Sequence, residues 1–262
     1  MEALALYRKL VDGHSLARAE ARALFDALMS GGVDPVLFAG ILTAFAAKGE
    51  TVDELVGAAE AMRARVARVN APPDVALIDT CGTGGDGKPT FNVSSAVAIV
   101  AAAVGATVAK HGNRSNARPS GSAEGLAALG INVEADIPVL ERCLRECRVA
   151  FLYAPRLHPA MRHAAPVRKA LGIRTIFNLV GPLTNPAGAP RQLMGVSRPD
   201  LVETMTSALA ELGAERALVV HGRDGLCDLS ISAPTIVGRW DGRQVTFEEV
   251  RADALGVTTA PL

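Results

Sequence analysis

A glycine-rich segment, residues 79–95, constrains the fold of this chain more than any other part of its sequence. It lies between an apolar run, Val75–Ile78, and a run rich in alanine and valine, Ser95–Val104. This order is typical of a strand, a loop and the start of a helix. Glycine permits positive φ angles and lets backbone N–H groups approach a ligand closely. Because a helix start adds unpaired N–H donors and partial positive charge, the segment predicts a phosphate-binding loop.

The loop does not fit two common phosphate motifs. Lys88 followed by Pro89 breaks the P-loop pattern, and the glycine spacing does not fit a dinucleotide-binding fingerprint. A tight turn that simply requires glycine is the alternative to a binding loop. Polar groups within the segment favour binding, because carboxylate, amide and hydroxyl groups suit ribose hydroxyls, phosphate oxygens or hydrated Mg²⁺. These groups belong to Asp86, Asn92, Ser94 and Ser95.

The composition sets broad bounds on the class of protein. A chain of 262 residues can bury roughly 70–75% of its unfolded surface, as one large domain or two small ones. Its 27 basic and 27 acidic residues cancel, so we expect no nucleic-acid partner and no membrane partner. The sequence shows no signal peptide and no apolar run of about 18 residues, so we expect a cytoplasmic protein. The four scattered cysteines predict reduced thiols rather than a zinc site.

Residues 1–68 have the spacing and capping signals of several helices. Asp34, followed by proline, predicts one helix start, and Thr51 with Glu54 predicts a capping box at another. After a proline-containing linker at 70–73, predicted strands and helices alternate, which indicates a mostly parallel sheet with helices on its faces. We therefore predict an α/β fold, with a small N-terminal helical domain and a larger α/β domain.

The domain boundaries follow from the same patterns. The helical domain spans 1–70. Pro159–Leu171 has the pattern of a helix that interrupts the alternation, so we assign a helical insertion near 158–185 to that domain. The α/β domain then comprises 74–157 and 190–262. The predicted strands are Ala76–Asp79, Thr107–Ala109, Val149–Leu152, Gln192–Val196 and Leu218–His221, with a hairpin at Trp240–Gly242.

A second polar loop, Lys110–Ser115, follows the predicted strand Thr107–Ala109. In open parallel sheets, ligands bind at the carboxyl ends of the strands. The loop therefore places cationic and polar groups where a second part of an anionic ligand would lie. A solvated surface loop is the alternative interpretation.

Several motifs follow one another in a fixed order over nearly the whole chain. They are GTGGD at 82–86, TFNVSS at 90–95, KHGNRS at 110–115, HPAM at 158–161, PVR at 166–168, RTIFN at 174–178 and GPLTNP at 181–186. Together these motifs resemble those of the anthranilate phosphoribosyltransferase family. Nucleoside phosphorylases of related fold match these loops much less well.

The resemblance implies a Mg²⁺-dependent glycosyltransferase of tryptophan biosynthesis. Such an enzyme moves phosphoribose from phosphoribosyl pyrophosphate (PRPP) to the amine of anthranilate. The resemblance also implies a homodimer, and it makes the α/β domain the phosphoribosyl-binding one. We assign no acid or base residue to catalysis, because an aromatic amine does not require a strong general base.

Residue roles are carried over from the same resemblance. It implies that anthranilate contacts Gly82, Asn113 and Arg168, with the guanidinium of Arg168 on the anthranilate carboxylate. His111 is a candidate neighbour of the acceptor. The residues implied to contact PRPP are Gly82, Gly85, Asp86, Thr90, Asn92, Val93, Ser94, Ser95, Lys110, His111, Gly112, Asn113, Arg114, Ser115 and Ser122.

The implied metal site departs from the family pattern. The resemblance assigns Mg²⁺ to Ser94 and to the pair Cys227-Asp228, where the family usually carries Asp-Glu. A hard cation prefers oxygen, so Cys227 is a poor ligand, and Asp228 is one methylene shorter than glutamate. The chain also stops at Leu262, short of the usual family length. We therefore expect the final helices of the α/β domain to be missing and apolar surface to be uncovered.

Two alternative functions stay open at the level of sequence. The unusual 116–120 loop would suit a transferase for another aromatic acceptor. The Cys227-Asp228 pair and the early end of the chain would suit a weakly active or non-catalytic paralogue. Such a paralogue would bind a phosphorylated ligand or a partner chain.

Overall fold

The computed structural model of this chain consists of helices followed by alternating strands and helices. The structure describes residues 2–85, 87–88, 90–114 and 121–261. Asp86 and Ser115 of the predicted site, and the segment 116–120, lie outside these ranges. The helices are α1 (Glu2–Val11), α2 (Arg18–Met29), α3 (Pro35–Lys48), α4 (Val52–Arg63), α5 (Val93–Ala103), α6 (Ser122–Ala128), α7 (Ile137–Glu146), α8 (Ala154–Leu157), α9 (Ala165–Leu171), α10 (Phe177–Val180) and α11 (Asp200–Glu211). The strands are β1 (Leu77–Gly82), β2 (Thr107–Gly112), β3 (Val149–Tyr153), β4 (Arg191–Gly195), β5 (Arg216–Gly222), β6 (Thr235–Trp240) and β7 (Val245–Val250).

Contacts divide the chain into two compact units. The helical unit comprises residues 1–67 and 155–184, and the α/β unit comprises residues 68–154 and 185–262. Within the residues given above, no helix has the length and apolar character needed to cross a membrane.

Side-chain caps set the helix starts in the helical unit. The Asp34 carboxylate accepts hydrogen bonds from the backbone N–H groups of Val36 and Leu37, at 2.8 Å and 3.4 Å. Thr51 and Glu54 exchange side-chain to backbone hydrogen bonds at the start of α4. Both predicted helix starts are confirmed, because each cap satisfies N–H groups that the first helical turn leaves without partners.

An aromatic cluster forms part of the core of the helical unit. The ring of Phe25 lies 6.0 Å from that of Phe45 and 5.4 Å from that of Phe177, measured between centroids. The predicted single helix at Pro159–Leu171 is wrong, because a 3₁₀ turn at Pro159–Arg162 precedes a separate α9. A proline in the first turn of α9 costs no helical hydrogen bond, whereas in a continuous helix it would lose one and clash.

The α/β unit is built on a seven-stranded sheet with the order β3-β2-β1-β4-β5-β6-β7. The first five strands in this order are parallel, whereas β6 and β7 pair antiparallel. Helices α5 and α7 pack against β1 to β3, and α11 packs against β5 and β6. The predicted fold class, with its mostly parallel sheet, and the predicted hairpin are confirmed.

Four parallel strands of this sheet end in glycine at the same edge. At Gly195, a side chain would overlap with the backbone carbonyl of Cys227. The absence of a side chain therefore lets the segment after β5 approach the end of β4. Because parallel strands have their carboxyl ends together, the loops that follow them meet at this edge. The four glycines are Gly82, Gly112, Gly195 and Gly222.

Candidate functional site

The glycine-rich loop connects the end of β1 to the start of α5. Gly84, Gly85 and Gly87 have positive φ angles of 62°, 80° and 68°, which residues with side chains rarely adopt. The loop is anchored where the backbone N–H of Thr83 donates to the carbonyl oxygen of Gly195 at 2.9 Å. Residues with positive φ allow the backbone to turn tightly, and such a turn can direct several N–H groups at one anion.

Two helix starts are joined beside this loop. The Asn92 side chain donates to the carbonyl oxygen of Gly121 at 3.2 Å, and Ser122 then begins α6. Two buried polar atoms near these helix starts, the Oγ of Ser95 and an Oε of Glu124, have no hydrogen-bond partner within the described residues. Buried polar atoms are normally paired with protein, water or ligand. These two atoms therefore mark a place where water or a ligand group is expected.

Lys110, near the end of β2, is a buried cation at this edge and is only 3% exposed. Its Nζ donates to the carbonyl oxygen of Thr80 at 2.8 Å and to the Oγ of Ser94 at 3.1 Å. Thr80 in turn donates from its Oγ1 to the carbonyl oxygen of Ser94 at 3.0 Å. Burial lowers the pKa of Lys110, and the negative charge of Asp79 opposes that shift. These bonds join β1, β2 and the start of α5 at one point.

Asp79 and Asn185 hold the ends of β1 and β2 together, and neither is predicted from the sequence as a site residue. The buried Asp79 carboxylate accepts from the backbone N–H of His111 at 3.0 Å and from the Asn185 side chain at 2.8 Å. Asn185 also donates to the carbonyl oxygen of Ala109 at 2.8 Å. Burial raises the pKa of Asp79 to about 6, against the effect of these hydrogen bonds. The sequence signal is a carboxylate directly after an apolar run, since a buried carboxylate must find donors.

A cavity of about 90 Å³ opens beside α5. Ser94 and Asp228, two of the three predicted metal-binding residues, both line it. The third, Cys227, is buried next to Asp228 in sequence. The cavity is lined by Thr80, Cys81, Val93, Ser94, Val97, Leu193, Gly195, Val220, Asp228 and Leu229.

The donor set of this cavity fits a Mg²⁺ ion that is held largely by a bound substrate. Mg²⁺ is usually bound through one or two carboxylates plus substrate phosphates, and Ser94 and Asp228 supply a hydroxyl and a carboxylate. Across the described part of the chain, no three His, Cys, Asp or Glu residues gather as a metal cluster.

The Asp224 carboxylate accepts hydrogen bonds from the hydroxyls of Ser230 and Ser232. Burial raises the pKa of Asp224, but these hydrogen bonds outweigh it and lower the pKa.

The loop after β2 is held by a side chain of β3. The Nε of Arg114 donates to the hydroxyl of Tyr153 at 2.6 Å, and its guanidinium carbon lies 5.7 Å from that ring's centroid. Arg114 also pairs with Glu134 at 3.2 Å, and its backbone N–H donates to the Oδ1 of Asn113 at 2.7 Å. Both Asn113 and Arg114 thus have protein partners, and their contacts with a ligand stay predictions.

Arg168 lies on α9 in the helical unit. Its guanidinium carbon is 5.5 Å from the ring centroid of Phe177, and its Nη2 is 3.5 Å from the Oδ1 of Asn178. That oxygen also accepts from the backbone N–H of Thr175 at 3.0 Å. Burial lowers the pKa of Arg168, but an arginine stays charged at neutral pH. The result is a partly buried guanidinium with a defined plane, which suits a carboxylate ligand.

The other predicted site residues that the structure describes all belong to the α/β unit. Among them, Ser94 is bonded to Lys110 and shares a cavity with Asp228. Arg114 does not line that cavity, and its side chain instead donates hydrogen bonds to Tyr153 and Glu134. At the carboxyl edge of the sheet, the chain therefore combines a glycine loop, a buried ammonium, a hydroxyl and a carboxylate.

Comparisons with known proteins agree with this arrangement. Residues 74–262 match the a/b domain of the glycosyl transferase family, and residues 4–66 match its helical bundle domain. The anthranilate phosphoribosyltransferase of Rubrobacter xylanophilus is 49% identical over 251 residues, which are 96% of this chain and 73% of that protein. The corresponding protein of Symbiobacterium thermophilum is 48% identical over 258 residues, which are 98% of this chain and 75% of that protein.

Solved structures give the same result. The anthranilate phosphoribosyltransferase of Thermus thermophilus has a TM-score of 0.90 and 42% identity, covering 100% of this chain and 76% of that one. The Saccharomyces cerevisiae enzyme in complex with PRPP and Mg has a TM-score of 0.87 and 25% identity, covering 98% of this chain and 75% of that one. The chain thus spans about three quarters of the length of these relatives.

Proposed function

Because the chain belongs to the anthranilate phosphoribosyltransferase family of glycosyl transferases, we propose that it moves phosphoribose from PRPP to the amine of anthranilate. This transfer is a step of tryptophan biosynthesis. The observation that supports it best is the cavity beside α5, where Ser94 is bonded to Lys110 and lies with Asp228 at the carboxyl edge of the sheet. A cytoplasmic homodimer belongs to the same proposal.

The reaction requires positioning more than acid–base chemistry. The bond between the anomeric carbon of the ribose and the pyrophosphate oxygen breaks, and the pyrophosphate keeps the electron pair. The amine nitrogen of anthranilate bonds to the same carbon from the opposite face and then loses a proton to water. In this proposal, the backbone of the glycine-rich loop binds phosphate oxygens, and fixed groups aligned with the two substrates supply most of the rate acceleration.

Mg²⁺ dependence is part of the proposal. When bound, Mg²⁺ offsets negative charge on the departing pyrophosphate, and Ser94 and Asp228 are the residues that would hold it. A soft, buried thiol at Cys227 adds little to such a site. We therefore expect the metal to be held mainly through PRPP, so that Mg²⁺ binding is weak in the absence of PRPP.

The acceptor is proposed to contact Gly82, Asn113 and Arg168. The guanidinium of Arg168 has a planar fork of donors that matches a carboxylate, and its plane is set by Phe177 and Asn178. The anthranilate carboxylate is therefore the group that Arg168 would bind. Any other acceptor that meets this requirement would also carry a carboxylate beside its amine.

A release assay for pyrophosphate tests the proposal. The purified chain is incubated with PRPP, Mg²⁺ and anthranilate, and each component is omitted in turn. We expect release that depends on all three. No turnover by the folded protein at any Mg²⁺ concentration would overturn the proposed activity. A panel of other aromatic amines tests the alternative acceptor, and calorimetric binding of PRPP without turnover would indicate a non-catalytic paralogue.

Homodimer formation has its own test. Light scattering of the purified chain at several concentrations should give twice the mass of 27.2 kDa. A single species at the monomer mass would remove the homodimer from the proposal and leave the activity to be judged by the release assay.

A further inference from the structure

The loop between β5 and β6, residues 223–234, carries Asp228, the carboxylate proposed to hold Mg²⁺. The two ends of this loop are joined, because the backbone N–H of Arg223 donates to the carbonyl oxygen of Pro234 at 2.9 Å. The interior of the loop consists of turns and bends, so side chains must satisfy backbone groups that a helix or strand would pair. The position of Asp228 therefore depends on the side chains that hold the loop from within.

The carboxylate of Asp224 joins the two halves of the β5–β6 loop. One of its oxygens, Oδ2, accepts hydrogen bonds from the hydroxyls of Ser230 and Ser232. The other, Oδ1, accepts from the backbone N–H of Leu226 at 3.2 Å. Asp228 is two residues from Leu226 on one side and two residues from Ser230 on the other. One carboxylate thus holds the chain on both sides of the proposed metal-binding residue.

The buried Ser230 extends this network to the end of the loop. Because an ionised carboxylate can only accept, the Ser230 hydroxyl must donate to Asp224, and its lone pairs then face other donors. The backbone N–H groups of Ser232 and Ala233 donate to this Oγ at 2.9 Å and 3.1 Å. The backbone N–H of Ser230 donates to the Oγ1 of Thr235 at 3.0 Å. The direction of one hydroxyl, set by Asp224, therefore holds the whole turn before β6.

Two roles are open to a carboxylate in this position. Asp224 could hold the loop through the hydroxyls that it accepts from, or it could add a ligand of its own to the Mg²⁺ site, since Asp228 is four residues away on the same loop. The two roles differ in what they require of the serines. A role in holding the loop needs both hydroxyls, whereas a metal ligand would gain from the loss of donors that occupy its oxygens.

We propose that Asp224 is a positioning residue of the metal site, which holds the β5–β6 loop so that Asp228 reaches the cavity. The proposal rests on the proposed function, because Asp228 is assigned to Mg²⁺ there. It explains why a loop without regular structure can present a carboxylate in a fixed place: six hydrogen bonds connect Asp224, Ser230 and their neighbours.

A double-mutant cycle separates positioning from direct ligation. The variants are Asp224→Ala, Ser232→Ala and the double variant, measured by the Mg²⁺ concentration for half-maximal release of pyrophosphate. We expect Asp224→Ala to raise this concentration on the order of tenfold and Ser232→Ala to raise it by about threefold. The double variant should match Asp224→Ala within about twofold. An unchanged or lower Mg²⁺ requirement in Ser232→Ala, or a product of the single effects in the double variant, would overturn the proposal.

Two further kinetic readouts distinguish positioning from general damage to the fold. At saturating Mg²⁺, kcat and KM for anthranilate should stay within about twofold in Asp224→Ala, because a loss in metal affinity is overcome by more metal. Ser232→Thr keeps a hydroxyl on the same carbon, so its Mg²⁺ requirement should be near that of the unaltered protein. An equal rise in Ser232→Thr and Ser232→Ala would overturn the role of the hydroxyl.

Hydrogen exchange tests the loop in the absence of substrates and metal. We expect Asp224→Ala to speed amide exchange in the peptides that cover residues 226–233 and to leave the central strands β1 and β4 unchanged. Unchanged exchange in those peptides would overturn the proposal whatever the activity of the variant.

Asp241 provides the matched control. Its carboxylate accepts from the backbone N–H groups of Arg243 and Gln244 at 2.8 Å and 2.9 Å, in the turn between β6 and β7. We expect Asp241→Ala to speed exchange in that turn and to leave the Mg²⁺ requirement unchanged. A similar rise in the Mg²⁺ requirement would mean that any lesion in a turn of this unit has the effect, which would overturn the role of Asp224.

Failure of the proposed function gives a different result. If the unaltered, folded protein releases no pyrophosphate at any Mg²⁺ concentration, the proposed function fails, and the positioning role fails with it. If the unaltered protein is active and Asp224→Ala keeps its Mg²⁺ requirement, only the positioning role fails.

Discussion

Among the residues predicted to bind the metal, Cys227 offers a sulfur atom, whereas Ser94 and Asp228 offer oxygen atoms. We predict that Cys227→Asp lowers the Mg²⁺ concentration needed for half-maximal activity by roughly threefold to tenfold, because a carboxylate beside Asp228 adds a hard ligand and a negative charge. The measurement is the rate of pyrophosphate release as a function of Mg²⁺ at saturating PRPP and anthranilate.

Cys147→Asp is the matched control for Cys227→Asp. Cys147 is exposed and ends α7, so the same carboxylate is added at a surface position of the α/β unit. We expect the Mg²⁺ dependence of this variant to equal that of the unaltered protein. An identical Mg²⁺ dependence for both aspartate variants would contradict a metal role for position 227.

Arg168 is the residue on which recognition of the acceptor depends in the proposed function. We predict that Arg168→Gln raises KM for anthranilate by roughly tenfold to a hundredfold, because a charged hydrogen bond to a carboxylate is lost. KM for PRPP should change little. Arg168→Lys should recover only part of the loss, since an ammonium keeps the charge but not the planar fork.

Lys169→Gln is the control for Arg168. It removes one positive charge from the next, exposed position of α9, so a general electrostatic effect would appear in both variants. We expect KM for anthranilate to stay unchanged in this control. If Arg168→Gln raised KM for PRPP and left KM for anthranilate unaltered, the proposed role would be wrong.

At the scale of elements, Gly57 sets how closely α2 and α4 pack. A methyl group at Gly57 would overlap with the backbone carbonyl of Arg18 and lie 2.9 Å from the backbone nitrogen of Arg22. Backbone atoms of a helix cannot move aside as a flexible side chain can. We predict that Gly57→Ala costs about 2 kcal/mol or more of stability and lowers Tm by roughly 4–8 °C, as measured by calorimetry.

Gly181 offers the matched control in the same unit. Its φ of −48° is helical, and nothing lies within 4 Å of a methyl group added there. We expect Gly181→Ala to leave Tm unchanged or slightly raised, because alanine lowers the entropy of the unfolded chain. A similar loss of Tm in both variants would contradict the packing argument.

The sequence predicts those elements whose local signals agree with their tertiary surroundings. The caps at Asp34 and Thr51 are local, so these helix starts could be predicted. The interruption between Pro159–Arg162 and α9 could not, since apolar spacing continues across it and only the proline favours a new start. The pairing of Asp79 with Asn185 also escapes prediction, because it joins positions 106 residues apart in the chain.

At the scale of the whole molecule, each unit contains, among the described residues, a buried group whose pKa is shifted to a value between about 4 and 6. In the helical unit, burial lowers the pKa of His158 from 6.5 to about 4. In the α/β unit, burial raises the pKa of Asp79 from 3.8 to about 6, although hydrogen bonds from Asn185 and His111 oppose the shift. Both groups favour their neutral forms in the folded state, but one is a base and the other an acid.

The two shifts have opposite consequences for stability on acidification. Between about pH 6.5 and 4, an unfolded chain protonates His158 and the folded helical unit does not, so that unit loses stability as the pH falls. Between about pH 6 and 4, the folded α/β unit holds a proton on Asp79 that the unfolded chain releases, so this group favours folding more as the pH falls. At about pH 5, the loss at His158 is about 2 kcal/mol and the gain at Asp79 about 1 kcal/mol.

We therefore predict that mild acid weakens the helical unit relative to the α/β unit. The measurement is hydrogen exchange at about pH 7 and about pH 5, corrected for intrinsic exchange rates and resolved by peptide. Protection should fall at residues 18–63 and hold or rise in the central strands. His158→Gln should flatten the pH dependence of the helical unit only, and Asp79→Asn that of the α/β unit only. Equal changes of protection in both units, unaffected by either variant, would contradict these assignments.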